Sequence, residues 1–455
     1  MMRLPLLLIC VPALAQLSPP ERTAIETAAR KVLTDTGDVS ASVAVVKDGK
    51  VAFVEAFGNA HLDPAVPARP EMPYKIGSNT KQFIATAILL LAEQGKLSLD
   101  DHVSRFLPGT TRGGEVTIRQ LLSHTSGYQD YYPLDYIAPF MLKPTSLEGI
   151  VDIWAKKPLD FDPGTEWQYS NTNFTIAGLI IEKLSGRPLF EFLRDRIFKP
   201  LGMHSVIDAD HEKWLDTWPA GYSRAALGPH RPARIEGSGW LNAAGELAMT
   251  AGDVALWDIG LMNGTLLKPA SLRALTTEVD LKSGAHTGYA LGIGVSFANG
   301  HRRWAHTGGT SGFTSYNVTL PDDHAAVTVL TNSESGAYGI LGRQIERIVT
   351  TQSDSLESSA IESVKTVFHS LQDGRLNRSL LDSDANSYFA DSVIADYAAS
   401  LKPVGEPDSF VQTAKQDRGG MTFRAYSIHG GGKSLRLTVF FMPDGKLAQF
   451  LIYPQ

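Results

Sequence analysis

Ile76-Gly77-Ser78-Asn79-Thr80-Lys81-Gln82-Phe83 opens a long apolar-periodic run that reaches Gln94 and stops at Gly95, the pattern of a helix buried along its length. Ser78 starts that helix, and Lys81, three residues on, projects over the same face. A serine hydroxyl is a weak nucleophile until a neighbour takes its proton, and an amine one turn away can do so if its pKa is lowered. The helix N-terminus disfavours a charged Lys81 and offers free N–H groups to a developing oxyanion. An isolated S-x-x-K is more often an N-capping serine with a solvated lysine. Here the spacing occurs once in the chain, so its meaning rests on what surrounds it.

Working outward, Val39–Val46, a Lys47-Asp48-Gly49 turn and Lys50–Phe57 predict a β-hairpin, with Asp-Gly supplying positive φ angles. Glu21–Leu33 reads as a preceding helix. A mainly helical and loop region follows the Ser78 helix to about Met262, punctuated by Pro133, Pro139, Pro144, Pro158 and Pro163. Strand-like runs return at Tyr289–Phe297, Trp304–Thr307, Thr314–Leu320 and Ala325–Asn332, and Ala337–Val349 closes with a helix. Strands from both ends with helices between predict an α/β (α+β) unit around a central antiparallel sheet, spanning residues 21–349. The polar stretch 350–359 reads as a linker. A small α+β domain over 360–455 is expected from helical Ala360–Gln372 and Ser387–Ser400 and from strands Met421–Ile428, Ser434–Phe441 and Lys446–Tyr453.

Composition narrows the function. With 42 Lys+Arg against 48 Asp+Glu, the net charge of −6 argues against nucleic acid or an anionic membrane as partner. Residues 1–15 read as a secretory signal peptide: Arg3, the apolar run Leu4–Leu14 and an Ala13-Leu14-Ala15 ending. That run is too short to span a membrane, which needs about 20 apolar residues. A lipoprotein site at Cys10 is the competing reading, disfavoured by the bulky Ile9. Cys10 is the chain's one cysteine, so a processed chain would have no disulfide, thiol nucleophile or thiolate metal ligand. An exported enzyme, periplasmic or secreted, is the expectation.

Two further motifs overturn the plain reading of S-x-x-K. Pro163-Gly164-Thr165-Glu166-Trp167-Gln168-Tyr169-Ser170-Asn171 supplies a Y-x-N, and Trp304-Ala305-His306-Thr307-Gly308-Gly309 an H-T-G on a strand. With these three motifs in this order, and with Leu121-Leu122-Ser123-His124-Thr125-Ser126-Gly127, the chain from about Ile25 to Val349 resembles the serine β-lactamase and penicillin-binding-protein superfamily. Within it the likeness is to the class C-related branch that includes esterases and D-aminopeptidases. The resemblance implies an antiparallel sheet flanked by helices, an all-helical subdomain beside it and a site between them. It implies Ser78 as acylated nucleophile, and Lys81 and Tyr169 sharing proton transfer, Tyr169 as phenolate or hydrogen-bond relay. Asn171 would hold Lys81 and touch substrate, with His306 and Thr307 as substrate-binding residues. The backbone N–H groups of Ser78 and Gly309 would form the oxyanion hole.

His306 stands where many relatives carry lysine. A histidine is mostly neutral at pH 7 and anchors a carboxylate weakly, which favours ester or peptide hydrolysis over efficient β-lactam hydrolysis. No separate acidic deacylation base is recognisable, and Glu166 reads as solvated. His124 reads as a loop-fixing residue, and Tyr128, Tyr131, Tyr132 and Tyr136 as cleft rim or packing. No metal motif, P-loop, dinucleotide fingerprint or G-x-S-x-G elbow is present, so no cofactor or metal is expected. The expected partner is a small ester, peptide or β-lactam substrate. The alternative is a sensor or binding protein that acylates without turnover. The C-terminal domain is expected to be an accessory module that could mediate homodimerisation.

Overall fold

The computed structural model describes residues 17–134, 136–298, 300–350 and 355–455. The proposed signal peptide and Cys10 lie outside them. The chain folds into two compact units, one of residues up to Ser296 with Arg302–Thr350, the other of Phe297–His301 with Thr351–Gln455.

In the first unit, α1 (Pro19–Thr36) leads into β1 (Ser40–Lys47), β2 (Lys50–Leu62) and the short β3 (Ala65–Pro67). Asp48 (φ 50°) and Gly49 (φ 70°) take the positive angles that their turn demands. After a long helical and loop region the chain returns through β4 (Gly294–Ala298), β5 (His301–Thr310), β6 (Phe313–Leu320) and β7 (Ala325–Thr331). These form a seven-stranded sheet in the order β3-β2-β1-β7-β6-β5-β4. The first and last parts of the chain meet where β1 pairs antiparallel with β7, Val43 opposite Val329.

Strand alternation gives the sheet two apolar faces. Ala41, Val43 and Val45 of β1 join Val318, Val327 and Val329 beneath Ile25, Ala29 and Val32 of α1 and Leu341 and Ile345 of the closing helix Ala337–Thr350. Ala44 and Val46 face the other way, into the larger core around α2 (Thr80–Glu93). Every residue of α2 from Thr80 to Leu91 is buried, as its all-round apolar sequence requires. A short 3-10 turn, Gly77–Asn79, precedes α2 and carries Ser78, so the serine lies one step outside the regular helix.

The strand expected over Tyr289–Phe297 begins only at Gly294. Gly292 (φ 72°) presses its backbone against α2, where a Cβ would meet the Lys81 carbonyl oxygen at 2.6 Å. Ala290 N–H closes a turn on the Ile293 carbonyl there.

The second unit is a four-stranded antiparallel sheet, Ser409–Arg418, Met421–Gly430, Lys433–Phe441 and Leu447–Pro454 in sequence order. Val364, Val367, Phe368 and Leu371 of the helix Ser355–Gln372 pack on Tyr426, Ile428, Leu437, Val439 and Phe450. Three differences from expectation stand out. Residues 355–359, read as linker, begin that helix. The helix expected over Ser387–Ser400 is two, Ser383–Tyr388 and Asp391–Leu401, because Phe389 turns fully into the core between them. The edge strand Ser409–Arg418 escaped sequence reading, since its polar run shows no buried residue among those whose burial is described.

Candidate active site

The turn holding Ser78 is braced from below by side chains of α2 and β6. Asn79 Nδ2 donates to Ser315 Oγ (2.7 Å), and Ser315 Oγ donates to the Ile76 carbonyl (2.7 Å). Gln82 ties Asn79 to the indole of Trp257. Strand β5 passes so close that a Cβ on Gly308 would meet the Ile76 carbonyl oxygen at 1.9 Å, and one on Gly77 the Gly309 nitrogen at 2.7 Å. Only glycine fits at these two positions. The same approach brings the Gly309 backbone beside the residue before Ser78.

Lys81 is wholly buried. Its Nζ lies 2.8 Å from Asn171 Oδ1, 2.7 Å from the Ala244 carbonyl and 3.0 Å from Ser78 Oγ. Burial lowers its pKa to about 7, against the opposing pull of Asp130. A neutral amine has two N–H donors and one lone pair. Asn171 and Ala244 accept the two donors, so the lone pair is left facing the Ser78 hydroxyl. That arrangement is one in which an amine can act as a general base near neutrality.

Asn171 begins the helix α3 (Asn171–Ser185). Its Nδ2 faces both carboxylate oxygens of Asp130 (3.2 and 3.3 Å), and its backbone N–H donates to Asp130 Oδ1 (3.0 Å). A carboxylate only accepts, so Asp130 fixes which end of the Asn171 amide meets Lys81. Burial raises the Asp130 pKa, offset in part by these donors.

Tyr169 lies just before α3, its ring centroid 4.9 Å from Lys81 Nζ. His124 positions it. The His124 ring packs on Tyr169 (centroids 4.2 Å apart), and its Nδ1 accepts the Ser170 N–H (3.2 Å). Burial pushes the Tyr169 phenol well above its ordinary pKa, outweighing the lowering effect of Ser78. A buried phenol beside an amine that is itself half neutral at pH 7 favours the hydrogen-bond relay over the phenolate. The hydroxyl is buried and has no hydrogen-bond partner of ordinary geometry among the described residues.

His306 is held from both sides, Nε2 against the Tyr289 hydroxyl (2.8 Å) and Nδ1 against the Thr307 carbonyl (2.6 Å). With Nδ1–H donated to the carbonyl, Nε2 accepts from Tyr289. Burial, with the Lys81 charge second, lowers its pKa to about 4. His306 is neutral with both nitrogens engaged, so it holds no cation for a substrate carboxylate. Strand alternation turns His306 inward, 6.2 Å from the Tyr169 ring, and leaves Thr307 and Gly309 exposed.

The structure thus gathers Ser78, Lys81, Asn171 and Tyr169, with His306 behind Tyr169 and Thr307 and Gly309 on the exposed side of β5. Glu166 is exposed. Tyr128 and Tyr131 are core residues, whereas Tyr136 is exposed. Asp130, the Ala244 carbonyl and Tyr289 were missed. Asp130 sits only two residues beyond the conspicuous Tyr128, but no sequence spacing joins it to Asn171, 41 residues on. Among the described residues no helix is long and apolar enough to cross a membrane.

Residues 25–349 match the family described as Beta-lactamase. Penicillin-binding protein 4* of Bacillus subtilis strain 168 is 27% identical over 324 residues, 67% of this chain and 70% of that protein. A D-aminopeptidase of Gluconobacter oxydans strain 621H is 29% identical over 304 residues, 65% of this chain and 56% of that protein. Among solved structures, D-amino acid amidase from Ochrobactrum anthropi SV3, complexed with L-phenylalanine amide, superposes with a TM-score of 0.65 at 26% identity. That likeness covers 74% of this chain and all of the amidase chain (100%).

Proposed function

The chain belongs to the beta-lactamase family, and from that premise we propose that it is a serine hydrolase acting on uncharged ester or amide bonds, D-amino-acid amides and peptides included, through an acyl-enzyme on Ser78. The observation that carries the reading is the Lys81 amine, pKa about 7, with its two N–H groups satisfied and its third position 3.0 Å from Ser78 Oγ. Lys81 takes the Ser78 proton as Oγ bonds to the carbonyl carbon. The N–H groups of Ser78 and Gly309 receive the oxyanion, and loss of one such donor costs roughly 3–4 kcal/mol. As the intermediate collapses, the proton passes from Lys81 through the neutral Tyr169 hydroxyl to the leaving alcohol or amine. Water then repeats the sequence on the acyl-enzyme and restores Ser78.

The D-aminopeptidase and D-amino acid amidase relatives support the substrate class. The neutral His306 argues against carboxylate-bearing β-lactams as preferred substrates. Export is part of the same proposal and rests on the sequence of residues 1–15 alone.

A fluorophosphonate probe should label Ser78 and spare Ser78→Ala; absence of labelling in the wild type, or equal labelling of both, would sink the proposal. Short p-nitrophenyl esters and D-phenylalanine amide should turn over faster than nitrocefin. Fast nitrocefin hydrolysis with negligible esterase and amidase activity would overturn the substrate class. A burst without steady turnover on every substrate would mark the protein as an acylating sensor instead.

A further inference from the structure

A second cluster of ionisable side chains sits behind the segment that supplies the Ala244 carbonyl. The short strands Ile207–Asp208 and Leu247–Met249 pair antiparallel, Asp208 opposite Leu247, and the Ala209 N–H donates to the Glu246 carbonyl (2.8 Å). This backbone frame holds Asp208 and Glu246 side by side. Asp208 also caps the turn that follows: its Oδ1 accepts the N–H groups of Asp210 (3.2 Å) and His211 (3.1 Å). That turn returns the His211 ring onto the Asp208 carboxylate, Nδ1 lying 3.0 and 2.9 Å from its two oxygens. One donor atom from each of Asp208, His211 and Glu246 falls within 4.8 Å of the other two.

Glu246 distinguishes this group from a surface cluster of acids. Its side chain is 1% exposed, and its buried Oε1 has no hydrogen-bond partner among the described residues. A buried carboxylate oxygen left without a donor costs about 1–3 kcal/mol or more. The nearby Asp210 does not relieve it, being an acid whose own oxygens accept the N–H groups of Gly239 and Leu241. One carboxylate oxygen of the buried Glu246 side chain lies within 4.8 Å of a donor atom on both Asp208 and His211, so a single ion between them is within its reach.

We propose that Asp208, His211 and Glu246 form a structural site for one divalent transition-metal ion, zinc being the best match. Two carboxylate oxygens and one imidazole nitrogen suit zinc, whose bonds to such donors run about 2.0–2.2 Å. Donors at tetrahedral angles on one such ion lie about 3.3 Å apart, close to the separations already present between Asp208 and His211. The imidazole disfavours calcium and magnesium, which take oxygen donors. His211 is partly exposed, its side chain at 46%, so an ion has access from solvent and water can complete its coordination.

The ion would fasten the loop after Asp208 to Glu246. Two residues from Glu246 lies Ala244, whose carbonyl holds Lys81, and the next residue, Leu247, accepts the Ile76 N–H (3.0 Å). The site therefore braces the segment on which the Ser78 turn rests, while touching neither Ser78 nor Lys81.

The test is metal binding by the full chain, stripped with a chelator and titrated with Zn²⁺ in a calorimeter, with thermal melting in parallel. The wild type should bind one zinc and melt higher with it. Glu246→Gln and His211→Gln should each bind at least tenfold more weakly and lose the melting shift. His211 is exposed enough for its replacement to leave the fold intact, so that variant remains informative if Glu246→Gln folds poorly. His286→Gln is the control, because His286 belongs to an exposed group with Glu278 and Asp280; it should behave as wild type. A stripped wild type that binds no zinc, or a folded His211→Gln or Glu246→Gln variant that keeps wild-type affinity, overturns the proposal. None of these readouts depends on the chemistry of Ser78.

Discussion

Replacing Asp130 by Asn should move the pH profile of the enzyme in a known direction. Asp130 reaches Lys81 only across the Asn171 amide, with hydrogen bonds of 3.2 Å on one side and 2.8 Å on the other. The two charges are therefore about 7 Å apart, and at an effective dielectric of 20 their attraction is roughly 2 kcal/mol, or about 1.5 pKa units at most. The intervening amide and solvent screening reduce this upper figure, so about one unit is the expected effect. The carboxylate favours the ammonium form of Lys81; removing it lowers the Lys81 pKa further. Asn keeps an oxygen that can accept the Asn171 N–H groups, so the fold of the site should persist. The assay is kcat/KM for a p-nitrophenyl ester between pH 4.5 and 9.5. The wild type should rise with pH on a limb centred about 7, and Asp130→Asn on one centred about 6. The assignment is sharp because His306 lies at about 4, His124 well below its ordinary value, and Tyr169 and Tyr289 above theirs. A limb that stays put or moves upward would refute the role of Lys81 as the titrating base.

Lys81→Met should lower kcat by about 10²–10⁴, the usual loss of a positioned base, measured on the same ester. It should also change how stability depends on pH. The wild-type lysine has its pKa depressed in the fold, so its destabilising effect is complete below about pH 7 and fades as pH rises toward the unfolded value of 10.5. In urea melts the stability difference between variant and wild type should fall by about 2 kcal/mol between pH 7 and pH 9; parallel curves would contradict this. Gly308→Ala puts a methyl 1.9 Å from the Ile76 carbonyl oxygen and should destabilise by at least about 1–3 kcal/mol. A urea midpoint equal to wild type would show that β5 does not press on the Ser78 turn as described.

What was legible in the sequence follows from what is local. The Asp48-Gly49 hairpin, the apolar run of α2 and the three polar motifs are each written within a few residues, and only the helix start moves, from Ser78 to Thr80. Features made by tertiary approach were not legible. The Asp130–Asn171 contact, the Ala244 carbonyl on Lys81 and the Tyr289–His306 pair join segments whose sequences carry no mutual signal. The same holds for electrostatics. A tyrosine in a Y-x-N motif beside a lysine reads as a phenolate or a hydrogen-bond relay, and the burial that favours the relay is a tertiary property. Alternation along β5 also separates His306 from Thr307, which adjacency in the sequence had grouped.

These electrostatic features bear on one another. Burial deprives Lys81 of much of its charge, and without a permanent ammonium nearby the Tyr169 phenol has no reason to ionise. A neutral Tyr169 in turn leaves His306 without an anion to hold its proton, and Tyr289 and the Thr307 carbonyl occupy both of its nitrogens. The nucleophile is thus surrounded by groups that are neutral or half neutral at pH 7, with Asp130 the charged group nearest to Lys81 along the hydrogen-bond chain. Such a site gains little from a negatively charged substrate and loses nothing with an uncharged acyl group. The proposed preference for uncharged esters and amides therefore rests on the combined burial of Lys81, Tyr169 and His306. Substituting lysine for His306 alone would place a second cation in a pocket already pushing Lys81 toward neutrality, so one change of side chain would not convert the site to carboxylate recognition.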